Sequence, residues 1–509
     1  MTTDTTLNGV KVSYKPKSEK KAEPKKSRDF SRDGQKRVHY GKGQSKPSRP
    51  SRTHKSRTQS ATPDKNYSPM SHLLKDPRYC AIDILHKVEK GQSLSELLAT
   101  EMRELNDSNQ RFVQHLVYGA LRHFDVLSFQ LTHYLQKPIK STERQVYLAL
   151  LLAMYEITEM NTAEYAAVNN WVALIRAMNK EWAVGLTNGI LRKVLREGLQ
   201  PLPKNTAKVS LPKWLSESLI SHWGVEKACA IAEQFMQHPP MTIRVNPLQS
   251  MRDAYSALLD DAGVDHQVHA HSDSAIVLTE AVPVSVLPHF DEGMSSVQDA
   301  SAQLAAVLIN PQNDDVIVDA CAAPGGKTVA MLERNPELTK IYAIDSVSNR
   351  LKRVQENVTR VFQDELADKV VLSANHFENF TADEAVDAIL LDVPCSATGI
   401  IHRHPDIKRL RQPTDIAVLA QTQADLLDHA WAMLKVGGRL LYSTCSILKE
   451  ENEGQMQAFF AAHNDAKECE LSLPFAEREA YGYQILPVFS EQAEKMDGFY
   501  YCLIEKIDG

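Results

Sequence analysis

The sequence predicts an α/β protein: a doubly wound, mostly parallel sheet preceded by a small α+β module and an all-α domain. Three observations carry this. After "SSVQDASAQLAAVLI" the runs "DVIVDA", "KIYAID", "KVVLSA", "DAILLD" and "RLLYSTC" alternate with helical stretches, the order of repeated βαβ units. Between Asp76 and Glu197 apolar residues return every three or four positions, the period of helices with one buried stripe. Between these regions, after a proline-rich break, strand-like and helix-like runs mix, which marks a third unit.

The chain of 509 residues is too long for one ordinary core. The expected divisions are a tail over 1–75, the all-α domain over 76–199, the α+β module over 205–292 and the sheet domain over 293–509. Lys and Arg number 58 against 64 Asp and Glu overall, yet residues 1–65 hold 18 against 6. That basic stretch is rich in Ser, Pro, Gly and Gln and cannot build a core, so a disordered basic tail is expected. Such an arm suits a polyanion, nucleic acid above all; a solubilising tail with no partner has the same composition. The longest apolar stretch, Val146–Tyr155, is about half a membrane span, and the first residues hold no apolar signal core. Seven scattered cysteines do not make a disulfide framework. A cytoplasmic, reduced monomer away from membranes is the expectation, and free thiols are then available for chemistry.

In the all-α domain, Leu116, Ala120, Phe124, Leu127 and Leu131 form one stripe between Asp107 and Leu135, with Asp107 or Ser108 as N-cap. "STERQVYLALLLAMYEIT" reads as a buried helix, and "AVNNWVALIRAM" and "GLTNGILRKVLRE" as two more, five to seven in all. Gln200–Pro212 reads as a linker. In the α+β module, "LSESLISHWG" and "MRDAYSALLDDAG" read as helices and "MTIRVN" and "SAIVLTE" as strands.

Ligands of doubly wound sheets bind at the carboxyl ends of the strands, and the chemistry-bearing residues cluster there. "VIVDACAAPGGKT" is strand, Gly-rich turn and helix start, with Gly325 and Gly326 expected to let backbone approach a ligand at a helix N-terminus. A P-loop would need glycine where Cys321 stands, so the turn suits a nucleoside-type cofactor better than a triphosphate. Asp345, at the tip of the second strand, is placed to accept hydrogen bonds from ribose hydroxyls; it is equally well placed to cap the following helix. S-adenosylmethionine on a Rossmann-like sheet is the cofactor these features favour.

Two strands end in cysteines, Asp392-x-Pro394-Cys395 and Thr444-Cys445. Carbon 5 of a pyrimidine is a poor nucleophile. A thiolate adding to C6 makes C5 enamine-like and able to take a methyl group. An acid nearby relieves the charge that develops toward N3, and loss of the C5 proton then expels the thiolate. Two thiols and an acid match that chemistry, with one cysteine attacking and the other helping release. Zinc would want closer Cys or His spacing, and a redox pair would want C-x-x-C. Cys80, Cys229, Cys469 and Cys502 are expected to be buried and inert.

With these residues assembled, the chain resembles the RNA (cytosine-5) methyltransferases of the NOL/NOP/Sun group, and among them the bacterial 16S ribosomal RNA enzymes that carry a NusB-like domain. "DACAAPGGKT", "LLDVPCSATG", "RHPDIK", "STCS…EEN" and "DGFYYCLIEK" carry the resemblance, as do "FVQHLVYGALRHF" and "GLTNGILRKV" for the NusB-like part. It implies a class I methyltransferase sheet and an RNA-binding helical domain. It implies that Cys321, Ala322, Ala323, Pro324, Gly325, Gly326 and Lys327 bind S-adenosyl-L-methionine, Asp345 its ribose and Asn375 its adenine amino group. Asp392 would sit between cofactor and target base, Cys445 would attack and Cys395 would resolve the adduct. The spacing alone leaves those two roles open. The implied partner is 16S ribosomal RNA, at cytosine 967, or an early small-subunit assembly intermediate. A tRNA methyltransferase and a non-catalytic assembly factor are the alternatives. Asn375 stands where an acidic residue is usual and Arg409 where tryptophan is frequent; Lys449 replaces a common proline.

Overall fold

The computed structural model describes residues 75–509 except 161, 363–365 and 490, together with Leu73 and the backbone of Thr5–Leu7 and Val10–Val12. These two segments are strands, β1 and β2, and β2 runs parallel to Val371 and Leu372. β-branched residues such as Val10 and Val12 favour extended backbone. The rest of the basic tail up to residue 72 lies outside the described residues.

Among the described residues seven helices span 77–197: α1 (Pro77–Val88), α2 (Leu94–Glu101), α3 (Asp107–Arg122), α4 (Phe124–Tyr134), α5 (Arg144–Glu159), α6 (Glu164–Ala177) and α7 (Glu181–Glu197). Every residue of α5 from Leu148 to Ile157 is buried, so the helix with apolar residues all round is the axis of this domain. The stripe expected to run through Asp107–Leu135 breaks at His123 into α3 and α4. All five stripe residues are nonetheless buried, because the apolar spacing continues across the break and cannot report it. The N-cap is Asn106, whose side chain accepts from the Asn109 amide at 2.9 Å, in place of Asp107 or Ser108.

After the short helix α8 (Ala207–Ser210), α9 runs over Lys213–Met236 and bends at Gly224, where φ is 78°. It therefore extends past the expected "LSESLISHWG", since Ala228, Ile231, Ala232 and Phe235 bury a second apolar face. The module continues with β3 (Met241–Val245), α10 (Arg252–Asp261), β4 (His266–Val268), β5 (Ala275–Leu278) and β6 (Ser295–Val297), an antiparallel sheet in the order β4-β5-β3-β6. Strands β4 and β6, three residues each, are too short to show alternation, and β6 lies beyond residue 292.

The large sheet is built from α11 (Ala300–Ile309), β7 (Val316–Ala320), α12 (Gly326–Arg334), β8 (Lys340–Ile344), α13 (Ser348–Val361), β9 (Val370–Ser373), β10 (Val386–Asp392), α14 (Ile407–Leu410), α15 (Pro413–Met433), β11 (Leu434–Thr444) and α16 (Glu453–Ala462). The strands run parallel in the order β9-β8-β7-β10-β11. The C-terminal "FYYCLIEK", as Phe499–Lys506, adds an antiparallel strand beside β11. Alternate strand residues face opposite ways: Ile317, Ile341 and Leu390 pack under α11–α13, while Val318, Ile344 and Leu391 pack against α15 and α16. This explains the continuous apolar runs, since a strand covered on both faces has no polar side. The strand order reverses between β7 and β10, which opens a crevice at their carboxyl ends.

The segment "RHPDIK" fastens the helical domain to this sheet. Arg122 donates to the His402 carbonyl at 2.8 Å, Lys408 donates to the Arg122 carbonyl at 2.7 Å, and Asp406 accepts from the Leu94 amide at 3.1 Å. Arg409 pairs with Asp125 at 2.7 Å and lies over the Phe124 ring.

Candidate active site

A cavity of about 340 Å3 opens at the carboxyl ends of β7, β8, β10 and β11; Cys321, Asp345, Asn375, Asp392, Cys395 and Cys445 are among its lining residues. A larger groove, about 810 Å3, lies on α4 and α7 and holds none of the expected site residues.

The turn after β7 is shaped by the protein that surrounds it. Cys321 has φ 62° and Gly325 φ 98°. A Cβ on Gly325 would lie 2.9 Å from the Val354 Cα, and one on Gly326 would lie 3.3 Å from Gln298 Nε2. Close approach of α13 therefore requires glycine at 325, and Gln298 lies close to Gly326. Arg350 donates to the Ala323 carbonyl at 3.1 Å, Asn357 to that of Pro324 at 3.0 Å and Arg244 to that of Gly326 at 2.9 Å. Cys321 and Ala323 line the cavity, whereas Ala322 is buried in the core under α11–α13. Burial, with Asp392, Asp345 and Asp319 nearby, pushes the Cys321 thiol up to about 12. Gly325→Ala would combine strain at positive φ with a backbone clash. A loss of about 1–3 kcal/mol in stability is expected, with weaker S-adenosylmethionine binding by calorimetry; unchanged binding would show that the turn tolerates a side chain.

Asp345 divides between its two expected uses. Oδ1 accepts from the Val347 amide at 3.0 Å and so caps the turn. Oδ2 is buried and accepts no hydrogen bond; its nearest cation is Arg350, at 3.3 Å. A buried oxygen without a donor is what a ligand hydroxyl would satisfy, so the residues present fit a nucleoside cofactor. Asn375 donates through Nδ2 to the Asn379 carbonyl at 3.2 Å, which leaves its side-chain oxygen as an acceptor.

The sequence reading passed over Asp319. It lies in the wholly buried strand β7, where Oδ2 accepts from Thr328 at 2.5 Å and Oδ1 has no partner. The signal was present: a carboxylate inside "VIVDA" is anomalous in a strand covered on both faces. Burial pushes its pKa up to about 7 against the Thr328 hydrogen bond and Lys327. Its ordinary value is about 3.9, so between about 4 and 7 the unfolded chain releases a proton that the folded chain keeps. Stability is therefore lost as pH rises through that window. Asp319→Asn should reduce the difference in melting temperature between pH 5 and pH 8. An undiminished difference would mean that Asp319 is already ionised at pH 5.

The two cysteines meet because β10 and β11 are parallel neighbours with Asp392 opposite Ser443. Their loops leave the sheet side by side, and the two sulfurs lie 3.4 Å apart. Cys395 is buried, and Cys445 is partly exposed to the cavity. The hydrogen bond to Cys445, burial and the Cys445 charge together hold the Cys395 thiol well above its ordinary range. Lys327 reaches to Asp392, whose other oxygen accepts from Ser443 at 3.0 Å. Burial works against the Lys327 charge, yet Asp392 outweighs it and Cys445 adds to it, so the ammonium is held above its ordinary range. The Phe499 ring covers it at 5.2 Å. Of the other cysteines, Cys80 and Cys502 are buried as expected, whereas Cys229 and Cys469 are only partly so.

Comparison with known proteins shows the family and the fold. A family model described as 16S rRNA methyltransferase RsmB/F matches residues 306–505, the NusB family model matches 75–196, and the ferredoxin-like domain of RsmF/B-like methyltransferases matches 211–285. The chain is 39% identical to Ribosomal RNA small subunit methyltransferase B of Pseudomonas putida, over 85% of this chain and 99% of that one. It is 38% identical to the protein of the same name from Escherichia coli, over 82% and 96%. The crystal structure of PH0851 superposes with a TM-score of 0.67 at 23% identity, covering 85% of this chain and 99% of that one. NSun6 from Pyrococcus horikoshii with SFG superposes with a TM-score of 0.51 at 21% identity, over 59% and 99%. These two likenesses show the fold.

Proposed function

The chain belongs to the ribosomal RNA small subunit methyltransferase B family and is an S-adenosylmethionine-dependent rRNA methyltransferase; on that premise we propose that it methylates carbon 5 of one cytosine in 16S rRNA through a covalent adduct between Cys445 and C6 of the base. The observation that supports this reading is the pair of thiols 3.4 Å apart at the cavity, beside the Lys327–Asp392 ion pair.

The residues divide the work by environment. Cys321, Ala323, Asp345 and Asn375 would hold the cofactor, with Asp345 Oδ2 and the Asn375 oxygen as acceptors. Bound S-adenosylmethionine supplies the methyl group. Cys395 keeps its proton and lies 3.4 Å from Cys445, the sulfur that faces the cavity and attacks as its thiolate. Lys327 lies near that thiolate and is placed to offset negative charge as it moves from sulfur to the ring. Cys445 bonds to C6, C5 takes the methyl group, and the C5 proton leaves. The electrons of that C–H bond then restore the ring and expel the sulfur. While Cys445 is bonded to carbon it carries no charge to hold Cys395 protonated, so Cys395 can release its own proton to solvent in the cavity and, as the thiolate, take the C5 proton.

The test is bisulfite mapping of 16S rRNA, 30S subunits and tRNA after incubation with the protein and S-adenosylmethionine. One new protected cytosine in small-subunit RNA is expected, with cytosine 967 the first position to inspect. Methylation confined to tRNA would redirect the substrate assignment. Transfer to a ring nitrogen or ribose oxygen would overturn the carbon-5 reading.

A further inference from the structure

The thiol pair is tied together by a group that neither strand supplies. Glu451 ends the 3-10 turn Lys449–Glu451 that follows Cys445, and its side chain is fully buried. One carboxylate oxygen accepts from the Ser396 amide at 2.7 Å and from Gln423 Nε2 at 3.0 Å. The other accepts from the Ser396 hydroxyl at 2.5 Å and the Ser446 hydroxyl at 2.6 Å. Ser396 directly follows Cys395, and Ser446 directly follows Cys445. A single carboxylate thus grips two loops from different strands, one residue beyond each thiol. Gln423 also donates to the Pro394 carbonyl at 3.0 Å, and the Tyr442 hydroxyl donates to the Glu451 carbonyl at 2.7 Å, so the clamp is itself held from α15 and β11.

Burying a carboxylate is costly unless its oxygens are filled, and here the four donors all come from the loops and the helix that frame the thiols. Hydrogen bonds to a charged acceptor are shorter and stiffer than neutral ones. They suit a task in which two sulfurs must keep one separation while a base comes and goes. The negative charge also adds to the hydrogen bond, burial and Cys445 in keeping the Cys395 thiol protonated.

We propose that Glu451 is a positioning residue for the thiol pair: through Ser396 it aims Cys395, through Ser446 it aims Cys445, and each serine governs the step performed by the cysteine before it. This rests on the covalent-adduct reading above. It makes an asymmetric claim that a merely structural clamp does not make, since loosening one arm should slow release and loosening the other should slow attack.

The experiment uses the full chain with 16S rRNA and S-adenosylmethionine, and follows the covalent protein–RNA band on a denaturing gel beside the single-turnover rate of methyl transfer. Ser396→Ala and Ser446→Ala are compared with wild type, with Cys395→Ala as the reference for a blocked release step and thermal melts as the check on folding. Ser396→Ala should accumulate adduct, with release slowed on the order of tenfold, the factor for losing one hydrogen bond to a charged group. Ser446→Ala should form adduct on the order of tenfold more slowly and accumulate none. Glu451→Gln, which keeps the shape and loses the charge, should slow both steps. If the serine variants melt like wild type and affect the two steps equally or not at all, the positioning role is overturned. If Cys395→Ala itself traps nothing, the covalent reading fails and this role falls with it, so the two failures are distinguishable.

Discussion

Cys445→Ala is expected to abolish methyl transfer, by on the order of 10^4-fold or more, as removal of a nucleophile does elsewhere. The protein should still fold and bind its cofactor. Cys445 is partly exposed to the cavity, so truncating it leaves little void. The cofactor turn is held by Arg350, Asn357 and Arg244, none of which touches the thiol. Single-turnover kinetics beside calorimetric titration with S-adenosylmethionine separate the two effects. The expected pattern is a lost rate with an unchanged affinity. Retention of even a tenth of wild-type turnover would remove Cys445 from the chemistry. A joint loss of rate and affinity would mean that the residue shapes the cofactor site.

Arg403→Ala is expected to cost about 3–5 kcal/mol of stability, the range for leaving buried charge without its partner. Arg403 lies in "RHPDIK" and reaches Asp497 at 2.8 Å, Asp299 at 2.8 Å and the Pro240 carbonyl at 2.9 Å. One guanidinium therefore joins the α+β module, the cap of α11 and the approach to the C-terminal strand. Asp497 also holds His402 at 2.9 Å. Burial opposes its charge, but Arg403 and His402 outweigh burial and bring its pKa down to about 2. The ordinary value is about 3.9. The folded state thus binds its proton less readily than the unfolded chain, and this stabilisation is present above pH 4 and lost as pH falls through 2. Urea unfolding at neutral pH measures the loss, and repeating it near pH 3 should find a smaller gap between wild type and variant. A loss below about 1 kcal/mol, within the range for solvent-screened pairs, would mean that the network carries little stability.

The five parallel strands could be read from the sequence because each is a short apolar run bounded by breaks, and the two cysteines stood out because both lie where such a run ends. Their 3.4 Å separation could not be read. It follows from β10 and β11 being neighbours in register, a pairing between segments fifty residues apart. The same limit hid Arg403, whose partners are all distant in the chain, and Glu451, whose partners Ser396 and Gln423 are. Gly325 and Gly326 stand out in the sequence, but their closeness to α13 and Gln298 does not, because no local pattern places those neighbours there. Lys327 is placed on the cofactor by the resemblance; that its long side chain also reaches across to Asp392 is not legible in the sequence. Asp319 is readable as an anomaly, a carboxylate within an apolar strand, but its burial and its bond to Thr328 depend on how the sheet packs. In the helical domain the periodicity located every buried stripe residue but not the break at His123, since helices that meet end to end can keep one spacing.

The measurement that bears most directly on the proposed chemistry is a denaturing gel of Cys395→Ala and Cys445→Ala, each incubated with 16S rRNA and S-adenosylmethionine. A covalent protein–RNA band from Cys395→Ala and none from Cys445→Ala is the predicted result, because only Cys445 attacks and Cys395 is needed for release. The reverse pattern would exchange the two roles. Full methylation by both variants, with no band from either, would contradict the covalent mechanism and leave the paired thiols as packing.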